Sequence, residues 1–175
     1  ATLWLVRNTP APDEPRPAPL LDGEPDYTMQ HFLLQRFAPD GRLRVQIEGD
    51  QLRHYPGTRT IEIDGVRLRA VEDDGSLTLA SARQALADDA GSEVQLRGGA
   101  ALTHRPGNGG EPIEFRGEFL HAFVDAQRVR SHLPVTVTQG ASRIDAAGVE
   151  VDQRARTVRM DGPLKAVIEP GRARR

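Results

Sequence analysis

The side chains best suited to chemistry lie in "DQLRHYPGTRTIEID", Asp50 to Asp64. His54 and Tyr55 stand there beside a Pro56-Gly57 turn, with Asp50, Glu62 and Asp64 near in sequence. A histidine within hydrogen-bond reach of a carboxylate is the minimum of a general acid/base pair, and a neighbouring tyrosine could hold a second proton. Elsewhere the raw material is thinner. His31, His104, His121 and His132 follow no metal-ligand spacing. Asp73-Asp74 and Asp88-Asp89 run into Gly75 and Ala90-Gly91, where aspartate serves a turn before it serves a catalytic pair. No phosphate loop, zincin helix, nucleophile elbow or dinucleotide fingerprint occurs. The lack of cysteine removes thiolate catalysis, disulfides and Cys-based zinc together. His54 and Tyr55 therefore read as two amphipathic side chains closing a strand, and no enzyme activity, cofactor or metal is expected.

The elements that would position these residues are strands. "RLRVQIEG" sets Leu43, Val45 and Ile47 against Arg, Gln and Glu at a period of two. "RTIEIDGVRLRA" does the same with Ile61 and Ile63, then changes phase at Gly65 to Val66 and Leu68, as a bent or bulged strand does. Leu77 and Leu79, Val94 and Leu96, Ile113, Phe115 and Phe119, then Leu133, Val135 and Val137 carry the series on to "RIDAAGVEVD" and "RTVRMDGPLKAVIE". Only "SARQALADDA" has helical composition, and a strand running into a turn fits it equally. The Gly-rich "THRPGNGGEP" is expected to be a disordered loop. Eight or nine strands joined by Pro, Gly, Asp and Asn turns predict an all-β sandwich, jelly roll or partly open barrel.

One plan recurs in "HYPGTRTIEIDGVRLRA", "LADDAGSEVQLRGGAALTH" and "VDQRARTVRMDGPLKAVIE": a polar turn, an alternating apolar pair, a Gly or Asp-Gly break, and a second alternation. "VDAQRVRSHLPVTVTQG" is a looser copy with Pro134 at the break. Gly65 and Gly98 are 33 residues apart, and Gly98 and Gly162 are 64 apart, near twice that. Repeats of this length imply stacked β units sharing one core.

A chain of 175 residues suits one domain. Its net charge of −2, with both signs interspersed, offers no grip on nucleic acid. All but one of its 23 basic residues are arginine, whose planar fork suits bidentate contacts with phosphate or carboxylate. Residues 1–7, "ATLWLVR", are too few to span a bilayer, which needs about 20. They read either as an ordinary terminus or as the end of a truncated transmembrane helix. Residues 8–26 hold a Pro-rich linker, 27–170 the β domain and 171–175 a tail. The alternating apolar rows are either a filled core or a groove for acyl chains, which burial would hold at about 0.8 kcal/mol per methylene. Composition leaves both open.

"EPDYTMQHFLLQRFAPDGRLRVQIEGDQLRHYP" resembles the opening of the LptC family, the bitopic inner-membrane component of the bacterial lipopolysaccharide transport bridge. The likeness rests on Pro25-Asp26-Tyr27, the Pro39-Asp40-Gly41 turn and the His54-Tyr55 strand end. "VTVTQGASRIDAAGVEVDQRARTVRMDG" is similar to the family's closing hairpins, with a strand ending at Gly140 and a restart at Gly148-Val149. The likeness covers roughly Tyr27 to Pro170. It implies a twisted β-jelly roll, open-ended, with an apolar interior groove, shared with the soluble bridge protein LptA and the N-terminal domain of LptD. It implies no catalysis.

Lipopolysaccharide from the LptB/LptF/LptG transporter would enter the groove and pass to LptA. The domains would join by edge-strand pairing. The N-terminal edge would face LptF/LptG and the C-terminal edge LptA, and the isolated domain could form a homodimer. The domain would stand in the periplasm of a Gram-negative bacterium on a single-pass inner-membrane anchor. The interior positions implied are Phe32, Leu34, Val45, Ile47, Ile61, Ile63, Leu79, Val94, Leu96, Phe115, Phe119, Val135, Val137, Val158 and Met160. The edge positions implied are Tyr27, Met29, His31, Gly140, Val158, Met160 and Val167. The alternative is a structural β-repeat adaptor that joins envelope proteins by its edges and has no lipid groove.

Overall fold

The computed structural model describes residues 23–168. The apolar stub, most of the Pro-rich linker and the tail lie outside the described residues. Within them twelve strands form one antiparallel sheet. Six are long: β1 (Tyr27–Phe37), β2 (Leu43–Tyr55), β3 (Thr60–Val71), β4 (Leu77–Asp88), β5 (Glu93–Arg105) and β6 (Ile113–Phe123). Six are short: β7 (Arg128–Ser131), β8 (Val135–Gln139), β9 (Ser142–Ala146), β10 (Gly148–Asp152), β11 (Thr157–Asp161) and β12 (Lys165–Val167).

The pairing splits this sheet into two leaves along a crease. Residues 27–30, 51–55, 60–64, 84–88, 93–97 and 119–123 join β7, β10 and β11 in a front leaf. Residues 32–37, 43–48, 66–71, 77–81, 100–105 and 113–117 join β8, β9 and β12 in a rear leaf. The chain crosses from leaf to leaf nine times. The long strands cross without a break, by a local distortion. His31 and Gly65 pair with nothing in their ladders, and β5 loses register between Arg97 and Ala100. His31, Gly65, Gly98 and Gly99 all take left-handed backbones, with φ of +48°, +63°, +77° and +59°. Gly65 has a further reason to be glycine, because a β-carbon there would run into the Asp50 carboxylate. The last three crossings are true breaks, at 132–134, Ala147 and 162–164.

The sequence repeat is this crossing. Passages from front to rear fall at His31, Gly65, Gly98-Gly99, His132–Pro134 and 162–164, roughly every 33 residues. One unit is a strand out and a strand back. Core residues from both leaves, among them Leu52, Ile63, Leu96 and Leu120 in front and Phe32, Val66, Leu102 and Phe115 behind, form a single cluster. The leaves therefore face each other, and the fold is a twisted β-jelly roll.

Two expectations change. Eight or nine strands become twelve, because each broken crossing counts as two. The Gly-rich loop is packed rather than disordered: Gly107 sits against the Asp74 carbonyl in the β3–β4 turn. Of the two readings of "SARQALADDA" the strand holds, since residues 81–88 belong to β4 and residues 89–90 run into the turn.

Candidate functional site

The inner face is a set of apolar rows at right angles to the strands. In the rear leaf one row runs in register across every strand: Leu34, Ile47, Leu68, Ala80, Leu102, Phe115, Val137, Ile144 and Ala166. In the front leaf the matching row runs Tyr27, His54, Ile61, Ala87, Val94, Ala122, Val129, Val151 and Val158. Nearer the crease Met29, Leu52, Ile63, Ala85, Leu96 and Leu120 form another. The middle of this face is closed: Leu120 is 0 % exposed, Ala85 1 % and Leu52 2 %. Its ends are open. On the edge strands Leu34 is 42 % exposed, Tyr27 47 % and Val158 54 %.

Of the interior positions expected from sequence, Phe32, Leu34, Val45, Ile47, Ile61, Ile63, Val94, Leu96, Phe115, Val135, Val137, Val158 and Met160 share this face. Leu79 and Phe119 do not. Leu79 stands opposite Arg69 and Thr103 on the outer face, because β4 turns its alanines inward and leaves its leucine outside. Phe119 stands opposite Arg97, because the bulge at Gly98-Gly99 shifts the pairing with β6 and brings Leu120 inward instead. Phe119 belongs to an outer cluster in which His132 lies 4.8 Å from its ring and His121 lies 4.2 Å from Phe123.

Among the expected edge residues, Tyr27, Met29 and His31 lie on β1, Val158 and Met160 on β11 and Val167 on β12. Gly140 is off the edge strands. It turns β8 into β9 at φ +57°, and its missing side chain leaves room for the Glu111 carboxylate, 2.8 Å from where a β-carbon would stand. Leu33, Phe37, Leu164 and Ile168, within the expected edges but not singled out there, are all more than half exposed on or beside them. The signal for two of them is legible in "HFLLQRF", where adjacent leucines break the alternation.

The His54 region resolves differently from an acid/base site. His54 Nδ1 lies 2.6 Å from Asp26 Oδ1, the Tyr27 ring stacks on the imidazole at 4.8 Å, and the Asp26 N–H donates to the His54 carbonyl. Of the carboxylates near it in sequence, Glu62 and Asp64 are engaged elsewhere. Arg53 donates to Asp64 at 2.8 Å and to Glu62 at 3.3 Å. These bonds hold the Asp64 carboxyl below its ordinary 3.8 and push the Arg53 guanidinium up. The group is a fastening where the chain enters β1. Two cavities, of about 370 and 400 Å³, open beside polar residues such as Arg116, Glu118 and Asp145, or Thr58 and Glu62, and the first also touches Val135 and Ala146. Among the described residues no His, Cys, Asp and Glu cluster could hold a metal ion, and no helix is long and apolar enough to cross a membrane.

Fold and face together define a class: a creased β-jelly roll with open edges, an apolar inside and a polar outside. Within it, residues 1–169 match the family described as lipopolysaccharide-assembly, LptC-related, and the chain belongs to the LptC family. It is thereby a component of lipopolysaccharide transport, a family of transport proteins rather than enzymes. The crystal structure of LptH, the LptA homologous periplasmic component of the conserved lipopolysaccharide transport device from Pseudomonas aeruginosa, is similar at a TM-score of 0.60. The match covers 72 % of this chain and 95 % of that one at 17 % identity, a likeness of fold. No curated protein matches the chain.

Proposed function

We propose that the inner face carries the acyl chains of lipopolysaccharide, received across the N-terminal edge from the LptB/LptF/LptG transporter and passed across the C-terminal edge to an LptA-type domain. One observation carries this reading: the rear-leaf row is apolar from β1 to β12 and the front-leaf row is apolar but for His54 from β1 to β11, and both are exposed only at those edge strands. A lipid path needs that arrangement, since each end must be reachable and the middle shielded from water. Phosphorylated sugars would stay outside, where arginine can pair with them. Residues 1–7 would complete a single inner-membrane span, residues 8–26 would tether the domain in the periplasm, and residues 27–170 would conduct.

The test is a photo-crosslinking residue at Phe32 or Ile63, with lipopolysaccharide supplied by the energised transporter. Labelling at both, absent at the outer-face Arg67, is expected. No labelling at any inner position would remove the reading.

The closed middle favours a second reading, an adaptor that uses its edges and never opens. It predicts that a crosslink fixing the leaves together, for example between cysteines placed at facing inner positions, leaves transport unchanged. The conducting reading predicts that transport stops.

A further inference from the structure

Eight of the ten large hydrophobic residues exposed among the described residues lie on or beside the two edges: Tyr27, Leu33, Leu34 and Phe37 at one, Val158, Leu164, Val167 and Ile168 at the other. Inner-face residues account for only some of these. Leu33 stands opposite Glu48 on the outer face, whereas Phe37, past a bulge, pairs with Leu43, two residues before the inward Val45. Val167 stands opposite Arg143, also outside. The covered strands of the rear leaf present mainly polar groups there, such as Glu48, Arg67, Arg116 and Asp145, with Leu79 half-buried among them. The front leaf differs. Its outer positions on β1 are Thr28 and Gln30, and on β11 they are Thr157, Arg159 and Asp161. Apolar residues thus reach the outside where the sheet ends, and only in the rear leaf.

We propose that domains docking on these edges seal an apolar seam along the outside of the rear leaf, separate from the lipid path within. At the N-terminal edge Leu33 is the anchor. The partner is the edge strand of another creased jelly roll bearing an aliphatic residue on its own outer rear face, as β12 of this chain does with Val167. The front leaf joins by main-chain hydrogen bonds alone. The chemistry follows from burial: a strand edge supplies direction and register, and the anchor side chains supply most of the affinity. The proposal rests on the reading that the N-terminal edge is a docking edge.

The test uses the full chain and the LptB/LptF/LptG transporter. The variant Leu33→Thr keeps a strand-forming residue and should weaken association by about tenfold, with the melting temperature and lipid labelling at Ile63 nearly unchanged. The front-leaf pair Thr28→Ala with Gln30→Ala should change association less than about threefold. A photo-crosslinker at Leu33 should capture the transporter. If Thr28 captures it and Leu33 does not, or if the Leu33 variant binds as the parent does, the seam is overturned while the docking edge stands. If no β1 position captures it, the docking edge falls and the seam with it.

Discussion

The six long strands turn the crease without leaving the ladder, whereas β7 to β12 leave the front leaf and start again in the rear one. Both devices give the same fold, but they spend different residues on it. Three of the long strands, β1, β3 and β5, use left-handed positions at the crossing, His31, Gly65 and Gly98-Gly99, which fix the bend within one or two residues. The short strands use connections through Pro134, Ala147 and Gly162, which leave each leaf to be held by its own neighbours. Burial follows position in the sheet rather than this division: β8, β9 and β10 bury Val135, Ala146 and Val149, while the long edge strand β1 leaves Tyr27, Leu33 and Leu34 exposed. β3 to β6 contribute Ile63, Val66, Ala85, Leu96, Ala100 and Leu120 to the closed middle, while every residue of β12 is exposed and β11 keeps only Met160 partly covered. The dry core lies between the edges whichever way the crease is made, and both edge regions can be reached.

The largest effect that would sharpen this contrast is in the core. Leu120→Ala should cost about 2–5 kcal/mol in urea unfolding, because the site cannot collapse around the lost methyls. Val158→Ala on β11 should stay within about 0.5 kcal/mol. Similar losses at both would erase the distinction between the two regions.

Next comes the crease itself. Gly65→Ala puts a β-carbon on the Asp50 carboxylate at a left-handed φ and should cost about 1–3 kcal/mol. Adding Asp50→Gly should return the steric part and leave the conformational part. Pro134→Ala, at a looped crossing, should cost less than either. If Gly65→Ala proves silent, the bend is not set by that residue.

Gly140→Arg tests the turn next to the C-terminal edge. Its left-handed φ should cost about 1–2 kcal/mol, partly offset because the Glu111 carboxylate would attract the new cation. Binding of an LptA-type partner should weaken, and unchanged binding would separate this turn from the junction. Hydrogen exchange should show the same gradient from the side of dynamics. Amides of β11 and β12 should exchange by local opening, while those of β3 to β6 wait for global unfolding.

The smallest effect is on pH. Asp64 and Asp88 are held below their ordinary 3.8, the first by the Arg53 guanidinium and the second by the Glu93 N–H. Their stabilisation is complete above that value and is lost as pH falls through the lower folded values. The melting temperature should therefore hold steady down to about pH 4 and fall below it, with a shallower fall in Asp64→Asn.

The all-β class, the bend at Gly65 and the repeat were legible because they depend on local alternation and on glycine. Leu79 and Phe119 were misread for one shared reason: alternation tells that two faces differ, but not which is inside when both carry apolar residues or when a bulge resets the phase in mid-strand. "LTLASARQALA" offers leucines on one face and alanines on the other, and the larger residues drew the wrong choice. His31 gave no warning as a bend, since histidine seldom takes a left-handed backbone. The partner of His54 was not foreseen either. Asp26 lies 28 residues away, and only the β1–β2 register brings it within 2.6 Å.

Nine is an odd number. Among the described residues the chain starts in the front leaf and reaches the rear one after nine crossings, so the first and ninth crossings point the same way. Every pairing within the domain is antiparallel. A second domain set on the end so that each leaf continues would bring its own first crossing alongside β11 and β12 in the same direction, as a parallel rung. Its hydrogen bonds would be evenly spaced and slanted instead of perpendicular. Parity alone would then give the junction a pattern of amides found nowhere inside either domain, and a weaker one per residue, where a bridge that must be assembled and taken apart can give way first.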